Sequence, residues 1–400
     1  MIGSDFEGMQ VHIVIASDEV LANYIPILIA KYDGVLKAIY IALSPTMNKS
    51  HSFSNLKRAL KKEESVSIKV SPEFPESNPI EIRTFAEKLI GEAKDAYPNC
   101  KIVFNATGGK KNQCIAFAQI AEDEGCEIIY ADTANTQIEF LSRDSKVTQP
   151  VPMRSVLNIE SYFYAQGFRI ENCDSDAEDW KERAMSRRKT TETLFEQFLK
   201  YDWLLQKLNS GISNSGNQPS RNKEFFVDKV TGGKVESLLK VLQNSNMVHY
   251  EQSENGYYYV VTPSDPEILT YLNGKWLEEF LWFKLRNIPE IELSCGLSVK
   301  PLTEKSDLVN NEFDLAMVSN NRLLIIECKS GKVDGSEENR ISYKLNDVPK
   351  RLGGALTTVV LASMQTVGDE ARKRLASRTE VFVGSDIAGL SSRVSEWSVM

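Results

Sequence analysis

Short β-branched runs alternate with longer helical segments from about residue 10 to residue 150, and this alternation constrains the fold most. The runs that predict strands are Val11–Ala16, Leu36–Leu43, Val66–Val70, Lys101–Asn105, Glu127–Ala131 and Gln137–Leu141. The segments that predict helices are Leu21–Tyr32, Phe53–Lys62, Ile80–Tyr97 and Gln113–Glu124. Alternating strands and helices are typical of a parallel sheet with crossover helices, so residues 1–150 are expected to form a Rossmann-like α/β domain.

The remaining residues predict two further parts in this chain of 400 residues. Residues 151–270 contain a predicted helix at Gly233–Asn244 and a hairpin at Met247–Thr262 with an Asn255-Gly256 turn, which resembles a winged-helix-like module behind a linker. A spacer or dimerisation role for this part is an equal alternative. Residues 271–400 begin with helical periodicity and continue as a hairpin, then a helix and two strands, which predicts a small α/β domain.

Composition excludes several classes of protein. With 47 basic and 55 acidic side chains the net charge is −8, so the chain cannot coat nucleic acid by bulk charge. Its six cysteines show no CxxC spacing, which argues against a zinc ribbon and fits a reducing cytoplasm. The first residues resemble no secretory leader, and no apolar run approaches the roughly 18 residues that a membrane span needs. We therefore expect a cytoplasmic protein without a membrane partner.

The hairpin between Glu312 and Lys329, with its turn at Asn320-Asn321, carries the most informative polar residues. Residues two apart on a strand share a face, so Glu327 and Lys329 point the same way from an otherwise apolar strand. Asp314 lies on the preceding strand, which folds back alongside. Two carboxylates and the backbone carbonyl of Cys328 could bind one divalent cation, and Lys329 could polarise water. This set suits metal-assisted phosphodiester cleavage.

A Glu-x-Lys tripeptide is weak evidence by itself. Chance alone gives about one or two in a chain of this length, and Glu92-Ala93-Lys94 is such a case in a predicted helix. The alternative interpretation of Glu327 and Lys329 is an ion pair at the surface end of a strand.

Asp314 followed by Glu327-Cys328-Lys329 at the end of an apolar strand resembles the PD-(D/E)xK restriction-endonuclease-like nucleases, although no proline precedes Asp314. Members often carry a further acidic residue on a preceding helix. The segment that begins at Gly274 resembles that helix and makes Glu278 the candidate, with Glu279 second. A solvated helix face is the alternative for both. Lys344, on the next predicted helix, is a possible accessory residue or a solvated one.

A glycine turn follows the predicted strand Lys101–Asn105. Its residues Thr107, Gly108, Gly109, Lys110, Lys111 and Asn112 lead directly into a helix. Paired glycines allow close approach of an anion, and the lysines and the helix N-terminus add positive potential, so the turn is expected to bind phosphate. Its spacing is neither that of a Walker A loop nor that of GxGxxG.

This turn resembles the ligand loop of CARF domains, which bind cyclic oligoadenylate across a homodimer. The usual loop reads Thr-Gly-Gly-Thr-Lys, and this chain has Lys110 at the second threonine, which bears on ligand size and affinity. Ser17 and Asp18, after the first strand, lie where the other ligand loop of the family falls. They could contact the ligand or simply cap the following helix. Ser44-Pro45-Thr46 could reach the same ligand.

A CARF-like sensor with a restriction-like nuclease resembles the ancillary nucleases of type III CRISPR systems. The resemblance implies a homodimer, cyclic tetra-adenylate as allosteric activator, Mn²⁺ or Mg²⁺ as cofactor, and cleavage or nicking of DNA, single-stranded RNA or both. Two alternatives remain: an unregulated DNA repair or restriction endonuclease, and a nucleotide-sensing transcriptional regulator with an inactive nuclease domain. The ring size of the activator, the preferred metal and the choice between DNA and RNA stay open.

Overall fold

The structure is a computed structural model that describes residues 8–63, 66–215, 224–229, 233–302, 311–333, 335–375 and 379–399. Residues 1–7, which include most of the segment judged to lack a secretory leader, lie outside the described residues. The predicted α/β class is confirmed, with two large sheets and a small one.

The first sheet belongs to the N-terminal domain. Its strands are β1 (Gln10–Ile15), β2 (Leu36–Ala42), β3 (Ser67–Ser71), β4 (Lys101–Asn105), β5 (Glu127–Asp132), β6 (Gln137–Phe140) and β7 (Val151–Pro152). Its helices are α1 (Val20–Tyr32), α2 (His51–Lys62), α3 (Pro79–Ala96) and α4 (Lys111–Asp123). The strand order is β3-β2-β1-β4-β5-β6-β7, with the first five parallel. All predicted strands and helices of this domain are present, with ends within two residues of the prediction.

The central strand β1 is buried along its whole length because helices cover both faces of the sheet. Val11, Ile13 and Ile15 pack toward α3 and α4, whereas Val14 packs toward α1 and α2. The carboxyl ends of the parallel strands therefore meet at one edge. The loops after β1, β2 and β4 come together there, as in other open parallel sheets that bind ligands at this edge.

The chain leaves this domain through α5 (Ile159–Ala165) and then forms β8 (Phe168–Cys173), a strand that the sequence did not predict. Strand β8 does not join the first sheet. It pairs antiparallel with residues Leu297 to Pro301 and forms the edge of the second large sheet. The segment 151–270 thus contributes a strand to the C-terminal domain, in addition to the module expected there.

The middle segment consists of α6 (Glu178–Lys200), α7 (Asp202–Ser215), β9 (Phe225–Asp228), α8 (Lys234–Asn244), β10 (Val248–Gln252) and β11 (Tyr258–Pro263). Its three strands form an antiparallel sheet in the order β10-β11-β9. Helices α6 and α7 precede these strands, and α8 lies between β9 and β10. The winged-helix-like assignment of this module stays a prediction. The long helix α6 packs on the C-terminal domain, where the rings of Phe195 and Phe280 stack with centroids 3.9 Å apart.

The C-terminal domain comprises α9 (Pro266–Thr270), α10 (Trp276–Leu285), β12 (Glu292–Pro301), β13 (Asn311–Ser319), β14 (Arg322–Lys329), α11 (Gly335–Arg351), β15 (Thr357–Ser363), α12 (Asp369–Leu375), β16 (Thr379–Val383) and α13 (Leu390–Val399). The sheet order is β16-β15-β14-β13-β12-β8, antiparallel from β8 to β14 and parallel from β14 to β16. The predicted β13–β14 hairpin turns at Asn320 and Asn321, both with positive φ, as a tight two-residue turn requires.

Helix α5 joins the N-terminal and C-terminal domains through one continuous hydrophobic cluster. Phe163 of α5 is fully buried, and its ring centroid lies 5.6 Å from that of Phe313 on β13. The hydroxyls of Tyr162 and Thr357 lie 3.2 Å apart. The Asn321 side chain accepts hydrogen bonds from the N–H groups of Val156 and Leu157, at 2.8 and 3.0 Å. The two domains therefore share a core.

Within the described residues, we find no helix with the length and apolar character that a membrane crossing demands.

Replacement Phe163→Ala is expected to destabilise both large domains together, by about 3–5 kcal/mol, because it opens a cavity in the shared core. All five tryptophans lie at or after Trp180, so their fluorescence reports the C-terminal half, while far-UV circular dichroism reports the whole chain. The midpoint of urea unfolding measured by fluorescence and the midpoint measured by circular dichroism should shift equally. The exposed Tyr32→Ala change serves as the control and should shift neither. A shift in circular dichroism with unchanged fluorescence would contradict a shared core.

Candidate active site and anion-binding loop

The β13–β14 hairpin brings Asp314 next to the end of β14. The Oδ2 atom of Asp314 accepts a hydrogen bond of 2.6 Å from the backbone N–H of Cys328. Glu327 and Lys329 flank that peptide, and the distance between Lys329 Nζ and Glu327 Oε1 is 2.9 Å. The structure thus places these three predicted residues together. The Cys328 thiol is buried in the apolar core, so only the backbone of Cys328 is available to the site.

Glu327 is not part of a surface ion pair, because it is only 2% exposed. Its second oxygen, Oε2, lies 2.5 Å from Nζ of Lys344 on α11. Burial opposes ionisation of Glu327, but Lys344 and Lys329 together lower its pKa below the usual value. The carboxylate is therefore charged and held between two ammonium groups. Lys344, for which the sequence left two interpretations, contacts Glu327 and is not a purely solvated residue.

The two consecutive glutamates of α10 are both buried, and they have different partners. Glu279 is bound by the Arg187 guanidinium of α6, with Arg187 Nε 3.1 and 3.0 Å from the two carboxylate oxygens. Glu278 lies 3.0 Å from Lys275 Nζ, and the same ammonium lies 3.1 Å from Glu312. The alternative of a solvated helix face therefore fits neither glutamate. Glu279 is committed to the buried ion pair, which leaves Glu278 for the site.

Buried carboxylates crowd together at this site. Burial and the nearby charge of Asp314 raise the pKa of Glu278 to about 8, and burial and the charge of Glu327 raise the pKa of Asp314 to about 6. Such mutual repulsion in a buried position is relieved by a divalent cation, for which carboxylate oxygens are preferred ligands.

The residues present fit Mg²⁺ or Mn²⁺, with Asp314 and Glu327 as oxygen donors. Among the residues that the structure describes, no cluster of three His, Cys, Asp or Glu side chains is close enough to form a complete ligand set. A cation here would need further oxygen ligands, such as a backbone carbonyl, water or substrate.

The glycine turn after β4 is held in place by side-chain hydrogen bonds, and only some of the residues that make them were predicted from the sequence. Asn105 Nδ2 donates to the carbonyl of Ala22 at 3.0 Å, and Asn105 Oδ1 accepts from both the N–H and the hydroxyl of Thr107. The Thr107 oxygen in turn accepts from the N–H of Ala131 at 2.7 Å. Thr107 is thus engaged in holding the turn, together with the buried Asn105, which was not among the predicted site residues.

Both glycines of the loop are required by close packing against the end of β1. A Cβ atom at Gly108 would lie 2.2 Å from the Ile15 carbonyl oxygen. Gly109 has a φ of +90°, and its Cβ would lie 2.6 Å from the Ile15 side chain. No side chain fits at either position without moving the backbone. The turn that was predicted from Gly108-Gly109 therefore lies at the carboxyl edge of the parallel strands, directly beside β1.

Lys110 and Asn112 contact the loop between β3 and α3. The distance between Lys110 Nζ and Glu76 Oε2 is 2.9 Å, and Asn112 Nδ2 donates to the Glu76 carbonyl at 3.3 Å. Lys111 is exposed at the first position of α4. Sequence reasoning missed Glu76, because no motif distinguishes one glutamate in a proline-rich loop.

Ser17 and Asp18 lie at the same edge. Asp18 Oδ1 accepts hydrogen bonds from the hydroxyls of Ser52 and Ser50, at 2.8 and 3.4 Å. The N-cap residue of α1 is Glu19, with no capping side-chain hydrogen bond, so helix capping does not account for Ser17 or Asp18. Thr46 also lies at this edge and donates its N–H to Glu76 at 2.9 Å.

The residues that follow Asp18 touch the C-terminal domain. A Cβ atom at Gly353, just beyond α11, would lie 3.1 Å from Leu21 Cδ1 and 2.6 Å from the Tyr162 hydroxyl. A Cβ at Gly354 would lie 3.8 Å from a carboxylate oxygen of Glu19. One end of α11 thus adjoins the predicted ligand edge, and the Lys344 side chain of the same helix contacts Glu327.

Comparison with known families assigns both large domains. The family model described as Card1 CARF domain matches residues 11–162, and the model described as Card1-like endonuclease domain matches residues 265–400. No significant match was found among curated protein sequences.

Two solved structures resemble the chain along nearly its whole length. Protein VC1899 from Vibrio cholerae aligns with a TM-score of 0.78 at 19% identity and covers 98% of each chain. Can2 from Sulfobacillus thermosulfidooxidans, solved in complex with cyclic tetra-adenylate, aligns with a TM-score of 0.74 at 19% identity and covers 97% of this chain and 99% of its own. At this identity the likeness establishes a common fold.

The Arg187–Glu279 ion pair links α6 to α10, and its contribution to the stability of the protein can be tested. Arg187→Met should destabilise the protein by about 3–5 kcal/mol, because the Glu279 carboxylate would remain buried without its partner. The double replacement Arg187→Met with Glu279→Met should recover most of that loss. Urea unfolding followed by tryptophan fluorescence measures the free energy of unfolding of the single and the double variant. A double variant as unstable as the single one would show that the pair contributes through packing and not through charge.

Proposed function

Because the chain joins a CARF domain of the Card1 type to a Card1-like endonuclease domain, we propose that it is a divalent-metal-dependent endonuclease that cyclic oligoadenylate activates in type III CRISPR antiviral defence. The observation that carries the catalytic part is the group Asp314, Glu327 and Lys329, in which a buried charged carboxylate lies beside a second carboxylate and an ammonium. We propose that it acts in the cytoplasm, consistent with six free thiols.

In the proposed reaction, Asp314 and Glu327 hold Mn²⁺ or Mg²⁺, with the backbone carbonyl of Cys328 as a further candidate ligand. The bound cation supplies Lewis acidity toward a phosphodiester. Lys329 Nζ, 2.9 Å from Glu327, is placed to orient water and to balance the charge that develops on phosphate. Lys344 holds the other oxygen of Glu327 and so positions that carboxylate. Glu278 contributes a third acidic group, adjacent to Asp314.

In the proposed sensor, cyclic tetra-adenylate binds at the edge formed by Ser17, Asp18, the Gly108-Gly109 turn, Lys110, Lys111 and Asn112. The resemblance to Can2, whose structure contains cyclic tetra-adenylate, supports this ring size. A ring with four phosphates has the symmetry to meet two sensor domains, so we propose a homodimer with the ligand on the two-fold axis. Ligand must favour the active arrangement over the resting one to act as a switch.

The substrate is proposed to be DNA, single-stranded RNA or both, since phosphodiester hydrolysis by carboxylates and a cation does not read the 2′-hydroxyl. The acidic chain has a net charge of −8, so substrate must be held by local lysines and the bound cation and not by general attraction.

Metal-dependent cutting should appear only when the activator is added. Purified protein would be incubated with Mn²⁺ and plasmid, single-stranded DNA or single-stranded RNA, with cyclic tri-, tetra- and hexa-adenylate added in turn. Glu327→Gln should lower the stimulated rate at least about 100-fold, because changes to residues that only support a metal ligand already cost about 10–100-fold. Glu370→Gln, an exposed carboxylate on α12, is the matched control.

Equal cutting with and without every cyclic oligoadenylate would indicate an unregulated nuclease instead. Binding of the activator without any cutting, and with no effect of Glu327→Gln on any measured activity, would indicate a sensing regulator with an inactive nuclease domain.

The contact at Gly353 predicts a variant in which binding and activation separate. Gly353 has a φ of +113°, and an added Cβ would overlap the Tyr162 hydroxyl. Gly353→Ala should therefore disturb the packing of α11 against α1 and α5. We expect ligand affinity by calorimetry to be kept, while the ratio of stimulated to basal cutting falls about fivefold or more, the lower end of typical allosteric coupling. Gly389→Ala, where the added Cβ meets no atom within 4 Å, is the control. An unchanged ratio in a folded Gly353→Ala protein would refute this coupling route.

A further inference from the structure

Glu76 lies between two of the loops that form the ligand edge of the N-terminal domain. Its Oε1 accepts the N–H of Thr46 at 2.9 Å, and its Oε2 lies 2.9 Å from Lys110 Nζ. Thr46 follows β2 and Lys110 follows β4, and these strands are the two neighbours of β1. The carboxylate therefore bridges the crevice at the end of the central strand.

A backbone N–H and an ammonium that converge on one oxyanion form an anion site. Here the occupant is a carboxylate of the chain itself. Hydrogen bonds from Thr46 and Lys110 lower the pKa of Glu76 to about 2, so the occupant is charged at neutral pH. Two oxygens of one phosphate would satisfy the same two donors.

The position of the loop does not depend on this carboxylate. Gln113 Nε2 donates to the Pro75 carbonyl at 2.8 Å, and Asn112 Nδ2 donates to the Glu76 carbonyl at 3.3 Å. Phe74 is fully buried beneath the loop. The Glu76 side chain is 29% exposed, so it can turn away while its backbone stays in place.

Lys110 stands where the CARF loop usually carries threonine. A threonine would offer no charge for a carboxylate to neutralise, whereas Lys110 and Glu76 form a complementary pair. The added positive charge of this loop is thus compensated within the chain.

We propose that Glu76 is a displaceable internal anion, which fills a phosphate subsite made by the Thr46 N–H and Lys110 until a phosphate of the activator takes its place. This inference rests on the proposed function of the domain. The free energy needed to break the contacts of Glu76 with Thr46 and Lys110 opposes the binding of any single phosphate. A ring whose several phosphates also meet Lys111 and the glycine turn can overcome that opposition. Glu76 therefore lowers the affinity for every phosphate ligand by a similar factor, and a ligand with further phosphate contacts is the one that still binds.

The test compares binding of cyclic tetra-adenylate and adenosine monophosphate to the full-length protein by calorimetry. Glu76→Gln should bind cyclic tetra-adenylate about two- to fivefold more tightly per sensor domain, since an exposed ion pair contributes up to about that factor. Adenosine monophosphate binding should rise as well. Glu76→Ala provides a second variant, and Glu87→Gln, an exposed carboxylate on α3, is the control with no expected change.

A double-mutant cycle with Lys110→Met separates the pair from a general charge effect. In the Lys110→Met background, Glu76→Gln should change affinity little, because the subsite has lost its ammonium. A gain of the same size in both backgrounds would overturn the inference.

The outcomes distinguish the inference from the proposed function. If wild-type protein binds cyclic tetra-adenylate and both Glu76 variants bind it equally or more weakly, Glu76 is a structural clamp and only the inference fails. If neither wild type nor the Glu76 variants bind any cyclic oligoadenylate, the proposed sensing function fails together with it.

Discussion

The packing of α5 between the two large domains is the constraint on which the rest of the structure depends. Phe163 and Tyr162 belong to a hydrophobic cluster that runs from the sensor helices to the endonuclease sheet, and Asn321 binds the backbone of the connecting segment. Protein interiors are close-packed and transmit displacement well. A movement of one sensor domain must therefore carry the endonuclease domain of the same chain with it. In the proposed homodimer, two N-terminal domains that rotate against each other would change the distance between the two candidate active sites without bending either chain.

The candidate active site and the glycine turn both contain charged side chains that pair with each other within the chain. In the endonuclease domain, Glu327 is buried between Lys329 and Lys344, while Glu278 and Asp314 repel each other beside it. In the sensor domain, Lys110 is neutralised by Glu76. An incoming cation or phosphate would in each case exchange one ionic partner for another. At the buried endonuclease site such exchange costs less than burying a new charge, because the desolvation of Glu327 has already taken place on folding.

The sequence predicts this fold well where the pattern is local and periodic. The strands and helices of the sensor domain have buried faces with a clear period, and the hairpin turn at Asn320 and Asn321 has a distinctive composition. It also predicts that Asp314, Glu327 and Lys329 come together, because antiparallel pairing across a short turn fixes their positions. The family relationship identified the two large domains more specifically than periodicity could.

Features that depend on long-range pairing were not predicted. Strand β8 is short, follows a connecting helix and pairs with residues far along the chain, so no local signal reveals its partner. Glu76 and Arg187 likewise acquire their importance from partners on other elements. The choice between Glu278 and Glu279 could not be made from helical spacing, since α10 is buried on several sides. The family resemblance preferred Glu278, and the position of Arg187 on α6 adds a physical reason, because Arg187 binds Glu279.

Strand β8 also has a consequence for how the enzyme is made. It leaves the ribosome before the whole middle segment, and its partner β12 follows only afterwards. Until β12 emerges, β8 presents an unpaired edge, and a fragment that begins at residue 265 would leave β12 with one instead. The segment that follows the N-terminal domain thus supplies the edge strand β8 of the endonuclease sheet. A cut in the middle segment after β8 would therefore separate the C-terminal domain from one strand of its own sheet.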